Sequence, residues 1–162
     1  MIVTERLTLR LPRPLDLADI HEIFGDPAVM TYWSCAAHQT MAETAAWLQP
    51  LFDMPEASPF DYFIEFEGRI IGKMGSWQLP NLGYALNRAY WGKGIAEEAL
   101  KGVIAHLKIS RPCDFLFADV DPRNTASAQL LLKCGFCHVG FAARTLHTHI
   151  GWCDSDYYKL DL

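Results

Sequence analysis

Between positions 82 and 101 the chain reads LGYALNRAYWGKGIAEEALK: a short apolar run, a glycine pair, then apolar residues at helical spacing. Ile95, Ala96, Ala99, Leu100, Val103, Ile104 and Leu107 recur every three or four positions. This predicts a strand, a glycine-rich turn and a helix. The first turn of a helix carries N–H groups without intrahelical partners, and the helix dipole adds partial positive charge there. Glycines let a diphosphate approach such a backbone closely. The segment Trp91-Gly92-Lys93-Gly94-Ile95-Ala96 is therefore expected to hold the pyrophosphate of a coenzyme. It is not a dinucleotide fingerprint, which needs a third glycine, nor a Walker loop, which needs Gly-Lys-Ser/Thr.

A second constellation is Cys134-Gly135-Phe136-Cys137-His138, with His147, His149 and Cys153 downstream. Cysteine pairs with nearby histidines bind zinc or run dithiol chemistry. Here Cys134 ends an apolar helical stretch, and buried cysteine is a common core residue. The expectation is no metal, with a zinc or dithiol module as the weaker alternative.

The elements that must carry these residues follow from pattern. Leu7, Leu9 and Leu11 alternate with Arg6, Thr8 and Arg10, a half-buried strand ended by Pro12 and Pro14. Asp16 is placed to cap a helix with Leu17, Ile20, Ile23 and Phe24 on one side, stopped by Gly25-Asp26-Pro27. Residues 29–39 have no period and read as a loop. Thr40 and Glu43 form a capping box for a helix from 41 to about 52, with Pro50 placed to end or kink it. Residues 61–66 and 69–77 alternate about Glu67-Gly68, a β-hairpin. Residues 115–120 read as a buried strand, 125–134 as a helix ended by Gly135, and 136–141 with 152–160 as a closing strand pair. Trp33, Trp47, Trp77 and Trp152 are expected in the core, with Trp33 able to line an acceptor pocket. The predicted order is β-α-α-β-β-β-α-β-α-β-β, a single α/β domain over residues 1–162.

Length and composition agree with that reading. A chain of 162 residues, 51% hydrophobic and 20% charged, is large enough for one well-buried core. A net charge of −5 argues against nucleic acid or an anionic membrane as partner. No apolar run approaches the roughly 20 residues of a membrane span. The opening MIVTERLTLRL alternates and does not read as a signal peptide. Five cysteines, an odd number, suit reduced thiols and an expected cytoplasmic location.

Four segments carry a family resemblance. TERLTLRLPRPLDLADIHEIFGDPAVM, IIGKMGSW, GYALNRAYWGKGIAEEAL and VDPRNTASAQLLLKCGF are similar, at matching spacing, to the GNAT N-acetyltransferases and within them to the RimJ/RimL-like branch. The family motif Gln/Arg-x-x-Gly-x-Gly/Ala stands here with Trp91 at its first position. The resemblance implies a mixed, mostly antiparallel sheet flanked by helices. It also implies an acyltransferase that uses acetyl-CoA, without a metal, to acetylate a primary amine on a small molecule or a protein N-terminus. A monomer or homodimer is expected. The alternative within the family is a CoA-binding domain without turnover.

Carried over by residue, the resemblance gives the backbone of Tyr84, Ala85 and Leu86 to the pantetheine arm, in the manner of an added strand. A bulge in that strand would splay it from its neighbour. The N–H groups of Gly92, Lys93, Gly94, Ile95, Ala96 and Glu97 are given to the pyrophosphate, and Asn124 to the pantetheine or to a helix N-cap. Transfer to an amine also needs an oxyanion donor, a base, and a proton for the departing thiolate. Leu86 N–H is the expected donor and Ser127 the expected general acid; the tyrosine that many relatives use falls at Leu131 here. The base is left open, because the carboxylate many relatives keep at the start of the central strand is Asn81. Glu65, Asp119, Asp154, His38, His149 and a water chain are the substitutes.

Overall fold

The computed structural model describes residues 1–53 and 59–162. Eight strands form one sheet: β1 (Ile2–Val3), β2 (Thr8–Arg10), β3 (Phe60–Phe66), β4 (Arg69–Gln78), β5 (Asn81–Leu86), β6 (Phe115–Val120), β7 (Cys137–Thr148) and β8 (Gly151–Asp161). Their spatial order is β1-β2-β3-β4-β5-β6-β8-β7. Every pairing is antiparallel except β5 with β6. The helices are α1 (Leu17–Phe24), α2 (Pro27–Met30), α3 (Met41–Asp53), α4 (Ile95–Ser110) and α5 (Thr125–Lys133).

Alternation along the strands makes two cores, one on each face. Tyr62, Ile64, Met74, Leu82 and Leu86 turn toward α4, which buries Ile95, Ala99, Leu100, Val103 and Leu107. Phe63, Ile70 and Ala85 turn the other way, onto Ile20, Ile23 and Phe24 of α1 and Leu48 of α3. The Glu67-Gly68 turn has positive φ at both residues (50° and 79°), as a two-residue hairpin requires.

Several expectations are corrected. The short strand β1 and the single-turn helix α2 lie outside the predicted order. Asp26 builds α2 by accepting the Ala28 N–H at 2.9 Å, just where residues 29–39 read as irregular. Asp16 does not cap α1 through its side chain. Its buried carboxylate instead accepts from Nη1 and Nη2 of Arg10, each at 2.8 Å, and from the Arg13 N–H at 2.7 Å. A charge-assisted bidentate pair outweighs a single cap bond. Pro50 lies inside α3 and the helix runs to Asp53. The last strand pair is also longer than predicted. β7 runs to Thr148 because a register shift between Ala142 and Leu146 absorbs the break in its pattern. Trp77 and Trp152 are about half exposed rather than core.

Candidate active site

The sheet opens between β5 and β6. Only Asn81 and Phe117 are paired there, with Phe117 N–H donating to the Pro80 carbonyl at 2.9 Å. Beyond that point the strands separate, whereas β6 keeps six consecutive partners on β8. The irregularity beside the gap lies in β4, not in β5 as expected. Ser76 and Trp77 stand opposite Leu82 alone, between the pairs Gly75–Gly83 and Gln78–Asn81. An extra residue of this kind bends and twists the pair.

The ladder decides which β5 groups face the gap. Opposed residues of an antiparallel pair alternate between exchanging two bonds and none. Asn87 N–H donates to the Ile71 carbonyl at 2.8 Å, so Ala85 and Gly83 are the next exchanging positions, opposite Lys73 and Gly75. Consistently, the Ala85 carbonyl points at Gly72, 2.5 Å from where a Cβ would stand. Tyr84 and Leu86 therefore turn their N–H and C=O toward the gap. Ala85 lines the cleft, but its main-chain groups are committed to β4, so the arm would be met by Tyr84 and Leu86 alone. The Leu86 carbonyl already accepts the Trp91 indole N–H at 2.7 Å. Leu86 N–H is left as the donor aimed into the opening.

A cleft of about 910 Å³ follows this gap, lined on one side by Gly92, Gly94, Ile95, Ala96 and Glu97. Gly92 (φ 70°) and Gly94 (φ 74°) are both left-handed, a conformation that costs an L-residue about 1–2 kcal/mol. A Cβ on Gly92 would project into open space, the room a diphosphate needs. Glu98 N–H makes the first bond of α4, to the Gly94 carbonyl at 3.0 Å. The N–H groups of Ile95, Ala96 and Glu97 precede it and lack intrahelical partners. Lys93 does not line the cleft: its ammonium packs over the Tyr90 ring, 5.4 Å from the centroid. The pKa of the Glu97 carboxyl is lowered from its ordinary value by a hydrogen bond from Lys101 at 2.6 Å.

The far wall is the start of α5. Asn124 Oδ1 accepts the Ser127 N–H at 3.2 Å, so Asn124 is the N-cap and its amide N–H groups are left to donate to a ligand. Ser127 lines the cleft, with its side chain against the Tyr84 phenol. Beside it the Tyr84 phenol donates to the Ser127 carbonyl at 3.4 Å, and burial pushes that phenol up to about 12. Tyr84 is thus a hydroxyl donor that stays protonated. Leu131 is fully buried.

Of the open candidates for a base, Glu65 is tied to Arg10 and is not on the cleft. His38 is also off the cleft; it bonds Thr44 through Nδ1 at 2.9 Å, and burial lowers its pKa. His149 falls between β7 and β8 and is likewise not among the lining residues. Asp154 lines the cleft and accepts Arg144 N–H at 2.8 Å. Asp119 lines it too, with its carboxyl pushed up by burial against a lowering hydrogen bond from Ser155. Its neighbour Asp121 is held down by a hydrogen bond from Arg123.

Trp33 lines the cleft, the place the sequence left open for it. Two features escaped sequence reasoning. Beneath Trp33 the buried Lys73 ammonium contacts Asp61 Oδ2 at 2.6 Å. Lys73 also stacks under Trp33 and Trp47, 5.7 and 5.3 Å from their centroids. The signal was present as a lone lysine inside the apolar run IIGKMGS. Tyr32 reaches across the cleft, its hydroxyl 3.4 Å from the Arg123 carbonyl. No pattern in an irregular segment announces such a contact.

Among the described residues, no three His, Cys, Asp or Glu side chains gather as a metal site. Cys137 is exposed, Cys153 is buried beside Arg123, Cys134 packs against the α4 core, and His138 pairs with Asp156 at 2.8 Å. No described helix is long and apolar enough to cross a membrane.

This geometry has counterparts. The chain is 28% identical over 144 residues to an uncharacterized N-acetyltransferase, p20, of Bacillus licheniformis, covering 83% of this chain and 81% of that one. It is 25% identical over 167 residues to the ribosomal protein uS5-alanine N-acetyltransferase of Escherichia coli K12, covering 94% and 86%. The crystal structure of the microcin C7 self-immunity acetyltransferase MccE, in complex with acetyl-CoA and AMP, superposes with a TM-score of 0.88. That match is 16% identical and covers 98% of this chain and 93% of that one. Residues 6–137 match the acetyltransferase (GNAT) domain, and the chain belongs to that family of acetyltransferases.

Proposed function

We propose that this protein acetylates a primary amine by direct attack on acetyl-CoA, and that it falls in the RimJ/RimL-like branch. The carrying observation is the unpaired β5 edge, with Leu86 N–H free, running into a left-handed glycine turn at the start of α4. The edge suits an extended amide-bearing arm, and the turn suits a diphosphate. The relatives named above support the donor and the branch.

Acetyl-CoA supplies a thioester carbonyl carbon that can accept the lone pair of an amine. Leu86 N–H donates to the carbonyl oxygen as negative charge gathers on it, a fixed dipole that needs no reorganisation. The Ser127 hydroxyl gives its proton to the departing sulfur and regains one from solvent, which in turn takes up the proton that Asp119 releases. Asp119 takes the proton the amine must lose. An alkyl ammonium with a pKa near 10 needs such help at neutral pH, and a carboxylate raised toward the working pH is a better base than an ordinary one. Tyr32, Trp33, Asp119 and Asp154 together suit an amine that carries positive charge.

The test is release of free thiol from acetyl-CoA with a panel of amines: alkyl diamines, amino acids, and peptides with a free N-terminus. Turnover with any of them supports the reading. Tight CoA binding with no turnover on the whole panel would leave a coenzyme-binding domain instead.

A further inference from the structure

Two carboxylates, Glu97 and Glu98, stand in the first turn of α4, where the proposed diphosphate must approach. Acids there favour the helix but repel an anionic ligand. Each has its own cation. Glu97 is paired with Lys101. Glu98 is claimed by the N-terminal segment, 92 to 94 residues away in sequence: Thr4 Oγ1 donates to Oε1 at 2.6 Å, Arg6 N–H to Oε1 at 2.8 Å, and Arg6 Nε to Oε2 at 2.6 Å. Burial alone would push the Glu98 carboxyl up, but these hydrogen bonds hold it below its ordinary value, so it is a full negative charge at neutral pH.

Arg6 makes a second kind of contact. Its Nη1 donates to the Lys93 carbonyl at 3.2 Å, and Nη2 stands 3.6 Å from where a Gly94 Cβ would be. Lys93 is the one residue of the Gly92–Gly94 turn that does not line the cleft. Arg6 thus grips the turn from behind and holds that carbonyl off the ligand side. A carbonyl turned inward would set negative charge against a diphosphate.

Resting on the function proposed above, we infer that Arg6 is a positioning residue for the coenzyme diphosphate: it cancels Glu98 and holds the Lys93 carbonyl outward. It touches neither the reacting atoms nor the arm in the β5–β6 gap. Its effect is therefore specific to the diphosphate-bearing half of the coenzyme.

The test compares CoA with pantetheine, which has the arm and no diphosphate, by titration calorimetry on the full chain. Arg6→Ala is expected to weaken CoA about tenfold, equivalent to about 1.4 kcal/mol, and to leave pantetheine within a factor of two. Arg6→Lys keeps the charge without the fork and falls between. Adding Glu98→Gln to Arg6→Ala removes the uncancelled charge and recovers most of the loss. A variant that binds CoA like the wild type overturns the inference, as does equal weakening of CoA and pantetheine. No recovery in the double variant overturns the charge argument. Arg6→Gln, which keeps a hydrogen-bonding side chain, replaces Arg6→Ala should the latter fail to fold. A wild-type protein that binds no CoA would refute the proposed function itself, a result separate from all of these.

Discussion

Lys73→Met should be among the most damaging single substitutions outside the main cleft, and the structure sets its size. The Lys73 and Asp61 side chains are 4% and 2% exposed and meet at 2.6 Å. Asp61 Oδ1 has no hydrogen-bond partner among the described residues, and among them Lys73 alone hydrogen-bonds that carboxylate. Removing one member of a buried ion pair costs about 3–5 kcal/mol, because the other charge is left unpaired in a low-dielectric interior. Domains of this kind are stable by about 5–15 kcal/mol in total, so the loss is a large fraction. At about 2–4 °C per kcal/mol for this size, it corresponds to a fall of roughly 6–20 °C in Tm. Urea unfolding of the wild type, Lys73→Met and the double variant Asp61→Leu/Lys73→Met measures it. The double variant should recover all but about 1–2 kcal/mol, since apolar replacement of a whole buried pair is often near neutral. A single variant that loses less than 1 kcal/mol would refute the reasoning. So would a double variant as unstable as the single one. There is a functional counterpart: Trp33 rests on Lys73 and lines the cleft. The KM for the amine should therefore rise in the single variant more than the KM for acetyl-CoA.

Two further expectations concern the chemistry. Ser127→Ala should lower kcat by about 10²-fold, the low end for loss of an acid, with CoA affinity little changed; an unaltered kcat removes Ser127 as the acid. Asp119 is held above its ordinary carboxylate value, so it binds its proton over a window where a free carboxyl would have lost it. Acting as base, it makes kcat/KM for the amine fall as pH drops through that raised value. Asp119→Asn should slow the reaction and abolish that acid limb, and a limb unchanged in the variant assigns it to another group. The linkage sign for stability is opposite to the usual paired carboxylate. The native state holds more protons than the unfolded state between the two values, so stability declines as pH rises through the window. The same Asn variant should flatten that decline in pH-dependent melts.

How much of this was legible in the sequence differs from one part of the molecule to another. Strand β6 and helix α4 were readable because each is bounded by breakers and carries a clean apolar period. The glycine turn was readable because a left-handed backbone at Gly92 and Gly94 restricts residue choice locally. Ser127 and Asn124 were placed on the same helix start by their spacing. Family membership followed from segments of that kind, whose constraints are local and so leave a trace in the string.

What only the tertiary structure decided depends on partners distant in the chain. The gap between β5 and β6 exists because an extra β4 residue and a single cross-pair at Asn81 stop the ladder there, and no residue of β5 encodes that. The ladder's parity commits Ala85 to β4 and frees Leu86, and Trp91 then occupies the Leu86 carbonyl. Asp16 read as a helix cap until Arg10 claimed it. Arg6 read as the polar side of a strand until Glu98 and the Lys93 carbonyl were found against it. Hydrogen bonds and ion pairs act over a few ångströms of space whatever their separation in the chain. The sequence therefore specified the glycine turn, and folding specified which groups hold it and what faces the cleft.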